Sequence, residues 1–140
     1  MRIVLDTSVL VAAIRSPKGA SIQLVDAALK CRTEIVVSTA LVLEYEAVLT
    51  RNEHLSVAGM TVEEVNRLID AICASAATVP IRWQWRPQLN DPNDEMVLET
   101  AINGHAQAIV TFNRAHFRHA AKRFSLEILS PGEALERIDF

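Results

Sequence analysis

The sequence predicts an α/β fold, a three-layer α/β/α sandwich with a mainly parallel central sheet, in a single domain over residues 1–140. The chain is 50% hydrophobic over 140 residues, which is enough for one buried core. Short β-branched runs alternate with segments whose apolar residues recur at helical spacing, and no repeat or flexible linker divides the chain. In folds of this class ligands bind at the carboxyl ends of the strands, so functional residues are expected there.

Elements in the first half of the chain follow from two kinds of apolar pattern. β-branched runs at 2–5 and 34–37 predict short buried strands. Apolar residues at helical spacing predict helices over 8–14, 21–30 and 39–49. Strands and helices therefore alternate from the start of the chain.

Elements in the second half are marked by capping residues. Thr61 followed by Glu64 is a capping box, which predicts a helix from residue 61 to 76. Asp91 followed by proline is typical of a helix start, and Gly104 is expected to end that helix. The remaining expected elements are strands over 79–81, 108–112 and 126–129 and a short final helix that begins with Ser130 and Glu133.

Charge and cysteine content exclude several classes of protein. The formal net charge is -3 and the sequence pI is about 5.8, so any contact with nucleic acid must come from a local basic patch. Cys31 and Cys73 form no Cys-x-x-Cys pair, which argues against a disulfide framework and a thiolate zinc site. Asp6 interrupts the apolar start, and no apolar run reaches the roughly 18 residues of a membrane span. We therefore expect a cytoplasmic protein.

Two acidic residues in the first half occupy positions that are unusual for a surface charge. Asp6 directly follows the first strand, where an ordinary helix N-cap is the alternative interpretation. On a helical wheel Glu44 lies on the apolar side of its helix, whereas Glu46 lies on the other side. Burying an unpaired carboxylate costs several kcal/mol unless the side chain extends past the edge of the apolar stripe. Glu44 is thus either a cation ligand or an edge residue.

Two further residues repeat this pattern in the second half. Asp94 begins the inward face of its helix, and Glu99 points away from that face. The favourable interaction of an acid with a helix N-terminus explains the position of Asp94 but not its inward direction. Asn113 follows the strand over 108–112, where a simple turn residue is the alternative.

The predicted fold can bring these four oxygen-bearing side chains to one edge of the sheet: Asp6, Glu44, Asp94 and Asn113. Three neighbouring carboxylates repel one another and favour protonation unless a cation neutralises them. Mg²⁺ and Mn²⁺ prefer oxygen ligands, and either ion can activate a water and stabilise charge on a phosphoryl oxygen. The pattern therefore favours metal-dependent hydrolysis of a phosphodiester.

Three stretches of the sequence resemble the PIN-domain ribonucleases, a family that includes the VapC-like toxins of bacterial toxin–antitoxin pairs. They are IVLDTSVLVAAI, STALVLEYEAVL and DPNDEMVLETAINGHAQAIVTFN, and the resemblance extends over nearly the whole chain. It implies a PIN-like fold and a Mg²⁺- or Mn²⁺-dependent endoribonuclease that a cognate antitoxin protein inhibits. The implied metal ligands and catalytic residues are Asp6, Glu44 and Asp94, with Asn113 completing the catalytic set and Thr7, Ser8, Asp91 and Thr111 supporting it.

The resemblance has one departure, because the family commonly carries Asp where this chain has Asn113. The substitution removes one negative charge and keeps a carbonyl oxygen that can coordinate a cation or orient water. We therefore expect a single tightly held ion, or a second ion that arrives with the substrate phosphate.

Two further segments offer contacts with RNA. The segment RAHFRHAAKR over 114–123 contains no acidic residue, and it is either a phosphate-binding patch or a solvated basic face. Trp83 and Trp85 would share one side of an extended segment, where they either stack on unpaired bases or pack in the core or against a second subunit of a homo-oligomer, such as a dimer. The expected RNA-binding residues are Arg114, His116, Arg118 and Lys122.

Other functions remain open at this point. A catalytically silent RNA- or protein-binding module is the main alternative, because Asn113 is consistent with lost metal binding. A phosphatase with Asp6 as covalent nucleophile is less favoured, since that chemistry normally needs a second acid where Ser8 stands. A dinucleotide-binding enzyme is disfavoured because the first strand–helix turn has no Gly-x-Gly-x-x-Gly motif.

Overall fold

The computed structural model describes residues 1–84, 86 and 88–138. The strands in these residues are β1 (Arg2–Leu5), β2 (Glu34–Val37), β3 (Ala77–Thr78), β4 (Ala108–Val110) and β5 (Glu127–Leu129). The helices in the same residues are α1 (Thr7–Arg15), α2 (Ala20–Leu29), α3 (Thr39–Leu49), α4 (Asn52–Ala58), α5 (Val62–Ser75), α6 (Pro92–Asn103), α7 (Arg114–Phe124) and α8 (Pro131–Arg137).

The strands form one parallel sheet in the order β3-β2-β1-β4-β5. The first strand lies at its centre, where Ile3 is paired with Ile35 on one side and Ala108 on the other. Strands that run parallel place all their carboxyl ends at one edge of the sheet. The predicted α/β class with a parallel central sheet is therefore confirmed.

The core lies between the sheet and the helices that cover it. β1, β2 and β4 each bury three consecutive apolar residues, as strands covered on both faces do. Helix α6 packs against these three strands, whereas α1 packs against α2 and α3. Among the described residues, Tyr45 and Phe117 are the largest side chains buried in this core, and Tyr45 also carries a polar group that must find a partner.

The structure corrects two of the predicted strands and contains two helices, α4 and α7, that were not predicted. The third strand covers Ala77–Thr78 rather than 79–81, because Pro80 has no N–H to donate and the ladder ends where Val79 donates to the Val37 carbonyl. The fourth strand ends at Val110, two residues earlier than predicted. Helix α4 was not predicted, because His54 is its only buried residue and it has no apolar repeat.

The capping predictions are confirmed in atomic detail. Thr61 and Glu64 form the reciprocal capping box at the start of α5. Asp91 accepts a hydrogen bond from the Asn93 amide at 2.9 Å, which fixes the first turn of α6. None of the helices in the described residues is both long and apolar enough to cross a membrane.

Candidate active site

Asp6 lies at the carboxyl end of the central strand and is only 7% exposed. It occupies the N-cap position of α1, but its side chain accepts no capping hydrogen bond from a backbone amide of that helix. Its Oδ2 atom instead accepts hydrogen bonds from the Ser8 hydroxyl at 2.8 Å and the Thr111 hydroxyl at 2.7 Å. The N-cap interpretation therefore does not account for Asp6, whose carboxylate is oriented by two hydroxyl groups, one from the first turn of α1 and one from the residue after β4.

Thr111 joins the ends of the two central strands. Its side chain is fully buried, and its hydroxyl donates to Asp6 while accepting the Asn113 amide at 2.9 Å. One side chain thus uses both its donor and its acceptor to hold the turn after β4 against the end of β1. The turn that carries Asn113 is thereby fixed beside Asp6.

Asp94 lies in the first turn of α6, is 7% exposed and faces inward as the wheel predicted. Its Oδ2 lies 3.1 Å from Nδ1 of His116. Burial raises the pKa of Asp94, and the negative charges of Asp6 and Asp91 raise it further, while His116 opposes the shift. The two buried aspartates are therefore close enough to repel one another.

The remaining predicted ligands are less constrained. Glu44 is half-buried at the edge of the buried face of α3, and Glu46 is half-buried as well, so the predicted difference between the two is wrong. Asn113 is the exposed N-cap residue of α7, and its side chain forms no cap hydrogen bond. Thr7 is the half-buried first residue of α1, and no bond ties it to Asp6 within the described chain.

A residue that sequence reasoning missed positions the helix that carries Glu44. The Tyr45 hydroxyl donates a hydrogen bond to the Leu5 carbonyl at 2.5 Å. Burial raises the pKa of the Tyr45 phenol well above its ordinary value, and the charges of Asp6 and Cys73 add to the shift. The sequence did carry one signal for this role, because Tyr45 is a lone tyrosine on the apolar face of a helix, next to the candidate ligand Glu44.

Glu99 was predicted to point away from the core and is instead 4% exposed. It accepts hydrogen bonds from Arg86 Nε at 3.0 Å and Nη2 at 2.5 Å. This cation comes from the loop before the helix, which a helical wheel does not represent. Glu95 is equally buried and accepts the backbone amides of Gln88 and Leu89 at 2.7 and 2.8 Å. Both glutamates therefore hold the loop that precedes Asp94.

The two faces of α7 line different surfaces. His116 and His119 face a cleft of about 410 Å³ whose other wall includes Asp91 and Asp94. A separate groove of about 360 Å³ is lined by three basic residues of the same helix, Arg114, Arg118 and Lys122. The predicted RNA-binding segment is thus divided between the aspartate cleft and this second groove, which we call the cationic groove.

Comparison with known proteins identifies the family. The sequence profile of the PIN domain matches residues 2–115 of this chain. The chain belongs to the PIN domain family. The resemblance drawn from the three sequence stretches is therefore confirmed for the family.

This PIN domain has the same fold as a protein of known structure. A chain in the crystal structure of VapBC2 from Rickettsia felis, bound to a DNA fragment from their promoter, superposes on it with a TM-score of 0.63. The two chains are 17% identical, and the alignment covers 93% of this PIN domain and 98% of the other chain. No curated protein is significantly similar in sequence. At this identity the superposition establishes the fold alone.

The donor atoms of this PIN domain are compatible in kind with a hard divalent cation. Across residues 1–84, 86 and 88–138, no three His, Cys, Asp or Glu side chains are close enough to hold a metal together. Mg²⁺, however, is typically bound by one or two carboxylates together with waters and substrate phosphates, and Asp6 and Asp94 are donors of that kind. Burial, followed by repulsion from Asp6 and Asp91, raises the pKa of Asp94, and a cation between the carboxylates would relieve that repulsion.

Aromatic residues in the loop before α6 are only partly described. Trp83 is 62% exposed, and the Asn103 side chain accepts its backbone amide at 3.0 Å. Trp85 lies outside the described residues, so the predicted pair of stacking tryptophans remains a prediction.

Proposed function

We propose that this PIN domain is a Mg²⁺- or Mn²⁺-dependent endoribonuclease and the toxin of a toxin–antitoxin pair. The observation that carries the proposal is the pair of buried aspartates, Asp6 and Asp94, which come from distant parts of the chain and interact through their charges. Buried like charges are costly unless a cation joins them, so the presence of two buried carboxylates at one site favours a bound metal ion.

Hydrogen bonding leaves one oxygen of each aspartate available. Ser8 and Thr111 both donate to Oδ2 of Asp6, and His116 contacts Oδ2 of Asp94. The Oδ1 atoms make no hydrogen bond within the described chain, so they are the oxygens we assign to the ion. When bound, the ion would activate a water and stabilise charge on the phosphoryl oxygen.

The other predicted residues have supporting roles in this proposal. Tyr45 holds α3 against the end of β1, which keeps Glu44 at the same end of the sheet, where we propose that it contacts the ion through a water rather than directly. Asn113 offers an exposed amide beside Asp6 that can orient water or a phosphate oxygen. Thr7 begins α1 directly after Asp6, and Asp91 caps the first turn of α6, which carries Asp94.

Cationic residues near the site support a polyanionic substrate. Arg118 and Lys122 are exposed in the cationic groove, where Arg114 also lies but is paired with Glu133. His116 lies within the aspartate cleft itself. We propose that these side chains hold RNA phosphates, with an affinity that falls as salt rises.

Family membership also supports the proposed partners. The superposed protein was crystallised as VapBC2 with promoter DNA, and we propose an antitoxin protein as the partner of this chain as well. We further propose a cytoplasmic location and a homodimer or higher homo-oligomer. Copurification with the product of a neighbouring gene, followed by light scattering, tests both assemblies.

The proposed activity is tested by incubating the purified protein with structured and unstructured RNAs and Mg²⁺ or Mn²⁺, with EDTA in parallel. We expect cleavage that EDTA abolishes and that Asp6→Asn and Asp94→Asn each lose while remaining folded. Asp70→Asn, an exposed carboxylate on α5, is the matched control and should cleave normally. Unchanged cleavage by Asp94→Asn would contradict the assignment.

A second candidate function is a catalytically silent binding module. It is favoured by Asn113, which replaces a carboxylate, and by the described residues containing no three-ligand cluster. Calorimetric titration with Mn²⁺, with and without RNA, separates the two functions. Binding that Asp94→Asn abolishes supports the nuclease, whereas no heat in either titration supports the silent module.

A further inference from the structure

Phe112 is an aromatic residue on the surface beside the candidate site. It is 56% exposed, whereas Phe117 in the following helix is fully buried. Its chain neighbours are Thr111, which donates to Asp6, and Asn113, whose amide donates to Thr111. The ring is therefore displayed from a fixed turn, which presents a large flat surface at low conformational cost.

The ring of Phe112 forms one side of a groove of about 290 Å³. Its other walls come from the end of α1, the start of α2 and the start of α8, including Ala12, Ser16 and Pro131. No charged side chain among the described residues lines it, and most of the lining is small and apolar. Such a groove does not suit a phosphate group but suits a flat uncharged ring.

One buried hydroxyl in this groove has an unused hydrogen-bonding capacity. Ser21 lines the groove and is 3% exposed, and its Oγ has no hydrogen-bond partner in the described chain. Buried polar groups are normally paired, so an unpaired hydroxyl at such a wall indicates a missing partner. The edge of a nucleobase offers both donors and acceptors to such a group.

We propose that this groove, the Phe112 groove, holds one unpaired base of the RNA substrate, stacked on Phe112 with its edge toward Ser21. This inference rests on the proposed nuclease function and adds a specificity-determining residue to it. Phe112 lies in the chain between Thr111, which donates to Asp6, and Asn113, so a base stacked on its ring belongs to a nucleotide near the cleaved phosphate. The substrate is accordingly single-stranded at that point, because a paired base cannot enter.

Binding of a short fluorescent single-stranded RNA tests the stacking, with Asp94→Asn as the background so that the RNA stays intact. We expect Phe112→Ala in that background to weaken binding by about 5- to 150-fold and Phe112→Trp to restore it. Val57→Ala is the control, since Val57 is 57% exposed on α4 and should leave the affinity unchanged. Ser21→Ala should change the relative affinity for the four bases by about 2- to 10-fold.

An RNA with an abasic nucleotide beside the cleavage position, combined with Phe112→Ala, completes a double-mutant cycle between the ring and the base. We expect Phe112→Ala to have no effect on that RNA, since the base that stacks is absent. Equal affinity of Phe112→Ala and its parent for intact RNA would overturn the proposal and assign the groove to another ligand, such as a protein partner. Equal losses with intact and abasic RNA would also overturn it. These experiments measure RNA binding. The metal-dependent cleavage assay tests the nuclease function, so failure of one proposal is distinguishable from failure of the other.

Discussion

The hydroxyl of Tyr45 donates a hydrogen bond of 2.5 Å to the carbonyl oxygen of Leu5, the residue before Asp6. Leu5 is the last residue of the central strand, and Tyr45 follows Glu44 on α3. The bond therefore connects the helix that carries one candidate ligand to the strand that carries another. Because Tyr45 is 1% exposed, its hydroxyl has no access to water as an alternative partner.

The phenol of Tyr45 should resist ionisation until the protein unfolds. Burial, followed by the charges of Asp6 and Cys73, raises its pKa, so the native state holds the proton more tightly than the unfolded chain. Stability is unaffected below the ordinary tyrosine pKa of about 10 and falls as the pH rises above it. Tyr45 is the only tyrosine, so tyrosinate absorbance reports it directly. Absorbance that rises before the circular dichroism changes would contradict this expectation.

Replacement of Thr111 by valine should destabilise the protein by about 1 to 3 kcal/mol. The substitution keeps the shape but leaves the buried Asp6 carboxylate without one donor and the Asn113 amide without its acceptor. Urea unfolding measures the change, with Thr78→Val at an exposed position of β3 as control. Equal midpoints for Thr111→Val and the parent would show that water replaces both bonds.

Substitution of Asp94 by asparagine should stabilise the metal-free protein at neutral pH. Burial and repulsion from Asp6 raise the pKa of Asp94, so the parent loses stability as the pH rises above the ordinary aspartate value of about 3.9. The variant has no such loss, and the two should be equally stable at lower pH. Urea unfolding across this pH range in EDTA measures the difference. Added Mn²⁺ should then raise the stability of the parent alone.

Replacement of Glu95 by alanine should loosen the wall of the aspartate cleft. The Glu95 carboxylate accepts the amides of Gln88 and Leu89, and hydrogen bonds to charged groups contribute more than neutral ones. We expect a loss of about 2 to 4 kcal/mol and faster amide exchange at these two residues. Glu136→Ala, on the exposed side of α8, is the control. Unchanged exchange at Gln88 and Leu89 would contradict the role of Glu95.

Neutralising the cationic groove should make RNA binding less sensitive to salt. Arg118 and Lys122 are exposed there, and each phosphate contact contributes about 0.7 to the slope of log affinity against log salt for single strands. The double variant Arg118→Gln, Lys122→Gln should therefore reduce that slope by about 1.4. Arg67→Gln on the exposed side of α5 should leave the slope unchanged.

The sequence predicted the fold because its strands and helices carry local signals. β-branched runs marked the buried strands, and the capping box at Thr61 marked the start of α5. The inward direction of Asp94 followed from helical periodicity and was confirmed. In contrast, α4 has no apolar repeat, and β3 is held by pairing with β2 rather than by its own composition.

The site was harder to predict, since its geometry depends on contacts between distant segments. Glu99 is buried because Arg86, on a preceding loop, neutralises it, and a helical wheel contains no such partner. The role of Tyr45 likewise depends on a strand 40 residues away. The division of α7 into two faces, in contrast, follows helical spacing, since Arg114, Arg118 and Lys122 recur every four residues and His116 lies on another side.

The pairing of β1 with β4 delays completion of the site during protein synthesis. Asp6 and Thr111 are 105 residues apart, although their side chains are joined by a hydrogen bond. A chain emerging from the ribosome at roughly 5–20 residues per second exposes Asp6 several seconds before its partner exists. Such non-local contacts also fold slowly. An incomplete chain therefore cannot assemble the aspartate pair, and translational arrest before residue 111 would leave a product without the constrained carboxylate.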